Sequence, residues 1–333
     1  MKIYELDDGP SVEDDLRAAT ELLIEAERID EPGGLPITYE RIAELHATRN
    51  AGSTRMSTWV ARRADQLAAY ARLVTPMEEN TSVAVIWPTV HPEWRRRGIG
   101  SAFLRELLPA VEAAGRTRLL GVLRADGPGL SWATKAGFTP TQGYLQQELV
   151  FAEVDPHLWE VPVAEGYELR EWVGAVPEEL LVSFAAARQA IHDAPQGEGS
   201  FGEPDWTPER VRKDEADLAA KRIEQRFVVA IRESDRMIVG VTETNHKQSM
   251  PGLADQGDTA VLAEHRGLGL GRAMKAAMLR KLRTELPGVL RIRTQTAVDN
   301  VHMAGVSRQV GYRDKWVNQF VEADLADVRR VLG

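Results

Sequence analysis

One short pattern occurs twice in this chain and constrains its fold more than any other feature. Residues 90–100 read Val90-His91-Pro92-Glu93-Trp94-Arg95-Arg96-Arg97-Gly98-Ile99-Gly100, and residues 261–271 read Val261-Leu262-Ala263-Glu264-His265-Arg266-Gly267-Leu268-Gly269-Leu270-Gly271. Each is a valine, four residues, then Arg-x-x-Gly-x-Gly. Gly98 and Gly269 lie 171 positions apart, and the later pairs Gly137-Phe138 and Gly311-Tyr312 lie 174 apart. Two landmarks at nearly one offset imply a duplicated unit. A length of 333 residues suits two domains better than one core. We place them at residues 1–158 and 159–333, with the proline-bearing stretch Asp155 to Glu165 as connector.

The surroundings of the pattern repeat as well. Strand-like runs precede each copy: Thr58 to Arg62, Leu67 to Leu73 and Ser82 to Trp87 in the first half, Phe227 to Ile231, Met237 to Thr242 and Thr259 to Leu262 in the second. A helix follows each copy. Ser101 to Ala114 carries Phe103, Leu104, Leu107, Leu108 and Val111 on one face before Gly115, and Arg272 to Leu286 carries Met274, Met278, Leu279 and Leu282 before Pro287-Gly288. Another strand comes next (Arg118 to Leu123, Val289 to Thr296), then a short helix and a last strand (Tyr144 to Phe151, Trp316 to Val321). The expected fold is mixed α/β, a mostly antiparallel sheet with flanking helices, built twice.

A strand, a glycine turn and a helix form an anion site. The first helical N–H groups have no partner within the helix, the helix dipole adds positive charge, and glycine lets a phosphate approach the backbone. Arginine adds charge and paired donors. The spacing fits neither Gly-x-Gly-x-x-Gly, since Arg272 and Met274 occupy the third position, nor a P-loop, which needs Gly-Lys-Ser/Thr.

Composition narrows the chemistry. There is no cysteine, which excludes disulfides, cysteine-bearing zinc sites and an enzyme-bound thioester. The seven histidines show no metal-ligand spacing, and no metal is expected. His91 and His265, beside the glycine turns, read as turn or cofactor-contact residues. A net charge of -9 disfavours nucleic acid and anionic membranes and makes a cationic small molecule the more comfortable partner. The start, Met1 to Asp8, turns acidic where a signal peptide needs an apolar run, so a cytoplasmic protein, monomer or homodimer, is expected.

At Arg-x-x-Gly-x-Gly the chain resembles the GNAT superfamily of acyl-CoA-dependent N-acyltransferases, and over nearly its whole length it looks like a tandem of two such domains. The resemblance implies that the motif amides hold the pyrophosphate of acetyl-CoA. That assigns Arg95, Arg96, Arg97, Gly98, Ile99, Gly100 and Ser101 in the first copy, and Arg266, Gly267, Leu268, Gly269, Leu270, Gly271 and Arg272 in the second. It also implies that the main chain of Val90 and Val261 meets the pantetheine arm or the acyl carbonyl, in a gap where the preceding strand leaves its neighbour. Asn300 fits the family's pantetheine contact; the first half has Asp126 there.

Acetyl transfer needs a base for the ammonium and a proton for the leaving thiolate. Asp258, at the start of the strand entering the second motif, and Glu243, at the end of the preceding strand, are the candidate bases, both placed to face the cleft. The matching strand of the first half, Ser82 to Pro88, carries no acid, and Trp87 stands in the place of Asp258. The second domain is therefore the expected catalytic one, and the first is expected to keep its cofactor motif. The tyrosine that the family often uses as acid is replaced by Ala133 and Ser307, with Ser307 read as helix surface and Tyr144 as a packed strand aromatic or, failing that, a remote substitute in the first half. The resulting expectation is an acetyl-CoA-dependent N-acetyltransferase acting on a small primary amine. The alternatives are a mycothiol-synthase-like tandem enzyme and a CoA-binding sensor or scaffold without turnover. His192-Asp193 leads into the polar stretch Ala194 to Trp206, whose Glu198, Glu203 and Asp205 suit a cationic acceptor.

Overall fold

The computed structural model describes residues 1–32, 36–64, 66–195 and 197–333. The first half contains β1 (Lys2–Glu5), α1 (Val12–Asp30), α2 (Tyr39–Ala47), β2 (Thr54–Arg63), β3 (Gln66–Pro76), β4 (Val83–Val90), α3 (Ile99–Ala113), β5 (Arg118–Arg124), α4 (Pro128–Lys135) and β6 (Thr139–Val150). The second half follows the same plan: β7 (Tyr167–Val173), α5 (Leu181–Gln189), α6 (Pro208–Ala220), β8 (Ile223–Arg232), β9 (Ile238–Lys247), β10 (Leu253–Val261), α7 (Leu270–Glu285), β11 (Arg291–Ala297), α8 (Val301–Gln309), β12 (Arg313–Asp324) and a closing α9 (Leu325–Leu332). The mixed, mostly antiparallel α/β class is as expected. Each glycine turn leaves a strand and opens a helix, β4 to α3 and β10 to α7. Among the described residues no helix is long and apolar enough to cross a membrane.

Two compact units form, and they do not follow the sequence halves. Unit 1 is Met1–Gln142, Glu198–Gly202 and Asn318–Gly333; unit 2 is Gly143–Gly197 and Glu203–Val317. The halves have exchanged their last strands. In unit 1 the sheet runs β1-β2-β3-β4-β5 and is completed by the end of β12, with Asn318 to Asp324 antiparallel to Arg124 to Arg118. In unit 2 it runs β7-β8-β9-β10-β11 and is completed by the end of β6, with Tyr144 to Val150 antiparallel to Ala297 to Arg291. A boundary at residue 158 therefore falls inside unit 2. The stretch around Pro156 is packed there rather than serving as a loose connector, since Trp159 is buried and its indole N–H donates to the Val310 carbonyl at 2.8 Å.

Each unit buries one helix face on its sheet. The α3 stripe Phe103, Leu104, Leu107, Leu108 and Val111 is fully buried, with Val321, Ala323, Leu325 and Val328 from the far end of the chain in the same cluster. In unit 2, Met274, Met278, Leu279 and Leu282 of α7 pack with Leu149 of β6, Ile292 and Tyr312. Each such side chain contributes about 1.5–3 kcal/mol by leaving water.

The exchange makes a prediction about where damage appears. Leu149 belongs to the first half by sequence but to the unit 2 core. Leu149→Ala should cost about 2–5 kcal/mol. Hydrogen exchange should accelerate in α7 and β11 and remain near normal in α3 and β4. Loosening of α3 and β4 instead would contradict the exchanged arrangement.

Candidate functional site

Both glycine turns are built as anion cradles. Gly98 (φ 75°) and Gly269 (φ 74°) sit in the left-handed region as helix N-caps, and neither helix receives a side-chain cap. The first intrahelical bonds are Ala102 N–H to Gly98 O and Ala273 N–H to Gly269 O. The amides of Ile99, Gly100 and Ser101, and of Leu270, Gly271 and Arg272, thus have no partner within their helices. Two positions earlier the backbone is also left-handed, at Arg96 (φ 64°) and Gly267 (φ 81°). The turn shape is the same with or without glycine at that position.

The side chains of Arg95 and Arg266 turn back onto the strands that precede them. Arg95 donates through Nε to the Val90 carbonyl (3.1 Å) and pairs both terminal nitrogens with Asp30 (2.8 and 2.6 Å). Arg266 likewise donates through Nε to the Val261 carbonyl (2.8 Å) and through one terminal nitrogen to Asp193. These two side chains, expected as phosphate donors, instead brace the glycine turn against the last residue of α1 in unit 1 and the segment after α5 in unit 2. Val90 and Val261 keep their N–H groups. His91 N–H donates to Ala68 O and Leu262 N–H to Val239 O, so the preceding amide in each strand turns away from its antiparallel neighbour.

The gap for a cofactor arm follows from the register. Parallel pairing of β4 with β5 ends at Ile86–Gly121, and that of β10 with β11 ends at Asp255–Arg293. Beyond those points the strands part. In unit 2 the split opens into a cavity of about 140 Å³ lined by Tyr144, Glu203, Asp258, Thr259, Lys275 and Asn300, among others. Asn300 also caps α8, its Oδ1 accepting from Met303 N–H at 3.2 Å.

Asp258 reaches this cavity through a β-bulge. Pairing with β9 jumps from Gln256–Thr244 to Thr259–Thr242, leaving Gly257 and Asp258 as the irregular pair. Gly257 is required there, because a Cβ would stand 2.6 Å from Glu243 Oε1. Glu243 was expected to face the cleft; it lies behind Gly257 and is buried. Its carboxylate accepts from Arg188 at 2.9 Å, from Gln225 Nε2 at 3.2 Å and from the Asp258 backbone N–H. Arg188 also pairs with Asp214 at 3.3 Å and lies 3.5 Å from the Trp206 ring centroid.

This crowding shifts the carboxyls together. Burial, with Asp258 and Asp214 adding to it, pushes Glu243 up to about 7 despite Arg188. Burial likewise raises Asp258, with Asp214 acting in the same sense, and raises Glu203, with Asp258 adding to it. A carboxyl raised in this way is a stronger base once ionised.

Several expectations need correction. Ser307 is fully buried rather than on the helix surface. His265, by contrast, keeps the first of its two expected roles, a turn residue, buried and bonded to Tyr167 through Nδ1 at 2.7 Å. Tyr144 does line a site, but that of unit 2, because β6 belongs there. Asp126, opposite Asn300 in the repeat, is tied to Arg124 at 2.9 and 2.7 Å. In unit 1 the space beside the first turn of α3 is filled by Trp132, whose indole N–H donates to Ser101 Oγ at 3.1 Å and whose ring would lie 3.3 Å from a Cβ on Gly100. At Gly271 the nearest atom to such a Cβ is 3.8 Å away. Sequence reasoning missed Arg188 and Lys275. Lys275 left a signal, since it shares the buried stripe of α7 with Leu279 and Leu282. Among the described residues no cluster of His, Cys, Asp or Glu could hold a metal ion.

Residues 54–140 match the family described as Acetyltransferase (GNAT) domain, and residues 188–312 match that described as Acetyltransferase (GNAT) family. A protein named mycothiol acetyltransferase from Mycobacterium avium (strain 104) is 28% identical over 222 residues, 64% of this chain and 63% of that protein. One of the same name from Nocardia farcinica (strain IFM 10152) is 27% identical over 304 residues, 89% of each. Among solved structures, a tandem GNAT protein from the clavulanic acid biosynthesis pathway superposes with a TM-score of 0.76 at 23% identity, covering 97% of this chain and 98% of that one. A GCN5-related N-acetyltransferase from Sphaerobacter thermophilus gives 0.71 at 16%, covering 97% and 96%. At these identities the structural likeness speaks to fold.

The buried cluster predicts a pH signature. The folded chain keeps a proton on Glu243 that the unfolded chain releases between 4.5 and about 7. Stability contributed this way is complete below pH 4.5 and lost as pH rises through about 7. Glu243→Gln should flatten that fall in part, because Asp214, Asp258 and Glu203 are shifted in the same direction. Urea unfolding across the range would show it. An unchanged slope in Glu243→Gln would contradict the assignment.

Proposed function

Since the chain belongs to the GNAT acetyltransferase superfamily and carries two such domains, we propose that it transfers the acetyl group of acetyl-CoA to a primary amine of a small cationic molecule, and that turnover belongs to unit 2. The observation that carries this reading is the Asp258 carboxyl, bulged into a cavity at the split between β10 and β11. The residues present suit the co-substrate. The uncapped start of α7 would hold its pyrophosphate through the amides of residues 267–272, the Val261 N–H and Asn300 would meet the pantetheine arm, and the split would admit the thioester. The turn before α3 offers the same free amides, while Trp132 fills the space beyond them.

Asp258 takes the proton from the acceptor ammonium. Burial raises its pKa, so the rising limb of kcat/KM with pH lies above the ordinary carboxylate range. Glu243 holds the Asp258 backbone and balances Arg188, a positioning task rather than a proton transfer. Glu203, on the same wall, gives a second cationic group of the acceptor a partner. A narrower reading, a mycothiol-related amine as acceptor, is supported by the names of relatives matched over most of their length.

The test is acetyl-CoA consumption against a panel of mono- and diamines. Asp258→Asn should lower kcat by about 10²- to 10⁴-fold and remove the rising limb of the pH profile. Glu203→Gln should raise KM for diamines about tenfold, the equivalent of about 1.4 kcal/mol, and change monoamines little. Binding of CoA without consumption for any amine would favour the sensor reading.

A further inference from the structure

Lys275 is a charged group on the cavity wall that this mechanism leaves unused. It sits on α7 one turn beyond the glycine cradle and is only 2% exposed, yet it lines the cavity. Among the described residues no carboxylate forms an ion pair with it. Its Nζ lies 5.5 Å from the centroid of the Tyr312 ring. An unpaired buried amine costs stability, and an apolar residue of that length would pack with Leu279 and Leu282 without that cost. The position therefore carries a burden that packing does not explain.

We propose that Lys275 is the general acid of unit 2, giving its ammonium proton to the sulfur of the departing thiolate. The inference rests on the acetyltransferase reading above. The proton count closes. As the tetrahedral intermediate collapses, the carbon–sulfur bond breaks with its electron pair going to sulfur, and an Nζ–H proton moves to that sulfur. This leaves free thiol and neutral lysine. The acceptor ammonium loses two protons: Asp258 takes the first and releases it to solvent before attack, then takes the second from the nitrogen of the tetrahedral intermediate and returns it through cavity water to Lys275, so no other reactant is needed. The position also accounts for the replacement of the usual tyrosine by the buried Ser307.

The charged and titratable groups around Lys275 agree with this role. On the cavity wall these are Asp258 of β10, Glu203 of the preceding loop and Tyr144 of β6; β11 and α8 contribute the uncharged Thr294, Gln295, Thr296, Asn300 and Met303. Tyr312 presents its ring, and burial holds its hydroxyl above the ordinary tyrosine range. Burial alone pulls Lys275 down to about 7, so the ammonium gives up its proton readily at neutral pH.

The decisive probe is CoA itself bound to the intact protein, with thiolate formation followed by ultraviolet absorbance against pH. A thiolate formed beside Nζ keeps the Lys275 proton as its counter-ion, so thiol and amine titrate as one thiolate–ammonium couple and the thiolate appears at lower pH than in free CoA. The bound thiol of the wild type should ionise at least about one pH unit below free CoA, and Lys275→Met should cancel that shift while still binding CoA. Lys275→Met should also melt at or above the wild-type temperature and lose about 10²- to 10⁴-fold in kcat. In Lys275→Ala, trimethylammonium, which has a proton to give and no second N–H to acetylate, should restore part of the rate. Ionisation in the wild type equal to that of free CoA would overturn the proposal, with or without a folded variant. Full kcat in Lys275→Met would overturn it too, while leaving the acetyltransferase reading intact. Absence of CoA binding by the wild type would defeat that reading and this proposal with it.

Discussion

The buried pairing of Arg188 with Glu243 is the contact on which the candidate site depends. Two charges removed from water are costly, and removing one partner of such a pair typically costs about 3–5 kcal/mol. Here one guanidinium from α5 faces Glu243 and Asp214 and stacks on Trp206, so a single cation offsets a group of carboxyls. The Glu243 carboxylate occupies the space left by the missing Cβ of Gly257 and accepts the Asp258 N–H. The bulge that aims Asp258 into the cavity is thus held from behind. A glycine, a glutamate and an arginine on three elements form one device.

The two units show what a duplicated scaffold keeps and what it changes. Both keep the order of strands, the left-handed glycine before the helix, and the arginine folded back onto a valine carbonyl and an aspartate. These features set the turn and the parting of two strands, and they need only local geometry. The chemistry differs because neighbouring residues differ. The β3–β4 ladder runs without a bulge from Ala69–Val90 to Val74–Val85, Trp87 stands where unit 2 has an acid, and Trp132 fills the space beside the start of α3. Unit 1 keeps the frame of such a site without its carboxylates.

The fold was legible in the sequence because its strongest signals are local. Gly98 and Gly269 announce left-handed turns, and the apolar stripes of α3 and α7 announce which faces are buried. Asp258 was legible as an acid on the right strand. The misjudged features all depend on residues distant in sequence. The Arg95 and Arg266 side chains turn toward Asp30 and Asp193, and nothing beside either arginine indicates this. Glu243 is buried because Arg188 and Gln225 meet it. The exchange of β6 and β12 leaves no mark on either strand, since neither carries a residue pattern that says which sheet it joins. Lys275 could have been found by asking why a lysine interrupts an apolar stripe.

The central claim is that acetyl transfer belongs to the split between β10 and β11. A crystal structure of the protein with acetyl-CoA tests it most directly. The account predicts the pyrophosphate on the amides of residues 267–272 and the thioester between Asp258 and Lys275, with no acetyl group in the β4–β5 split. An acetyl group seated beside Trp87 in unit 1, with the unit 2 cavity holding only water, would contradict it.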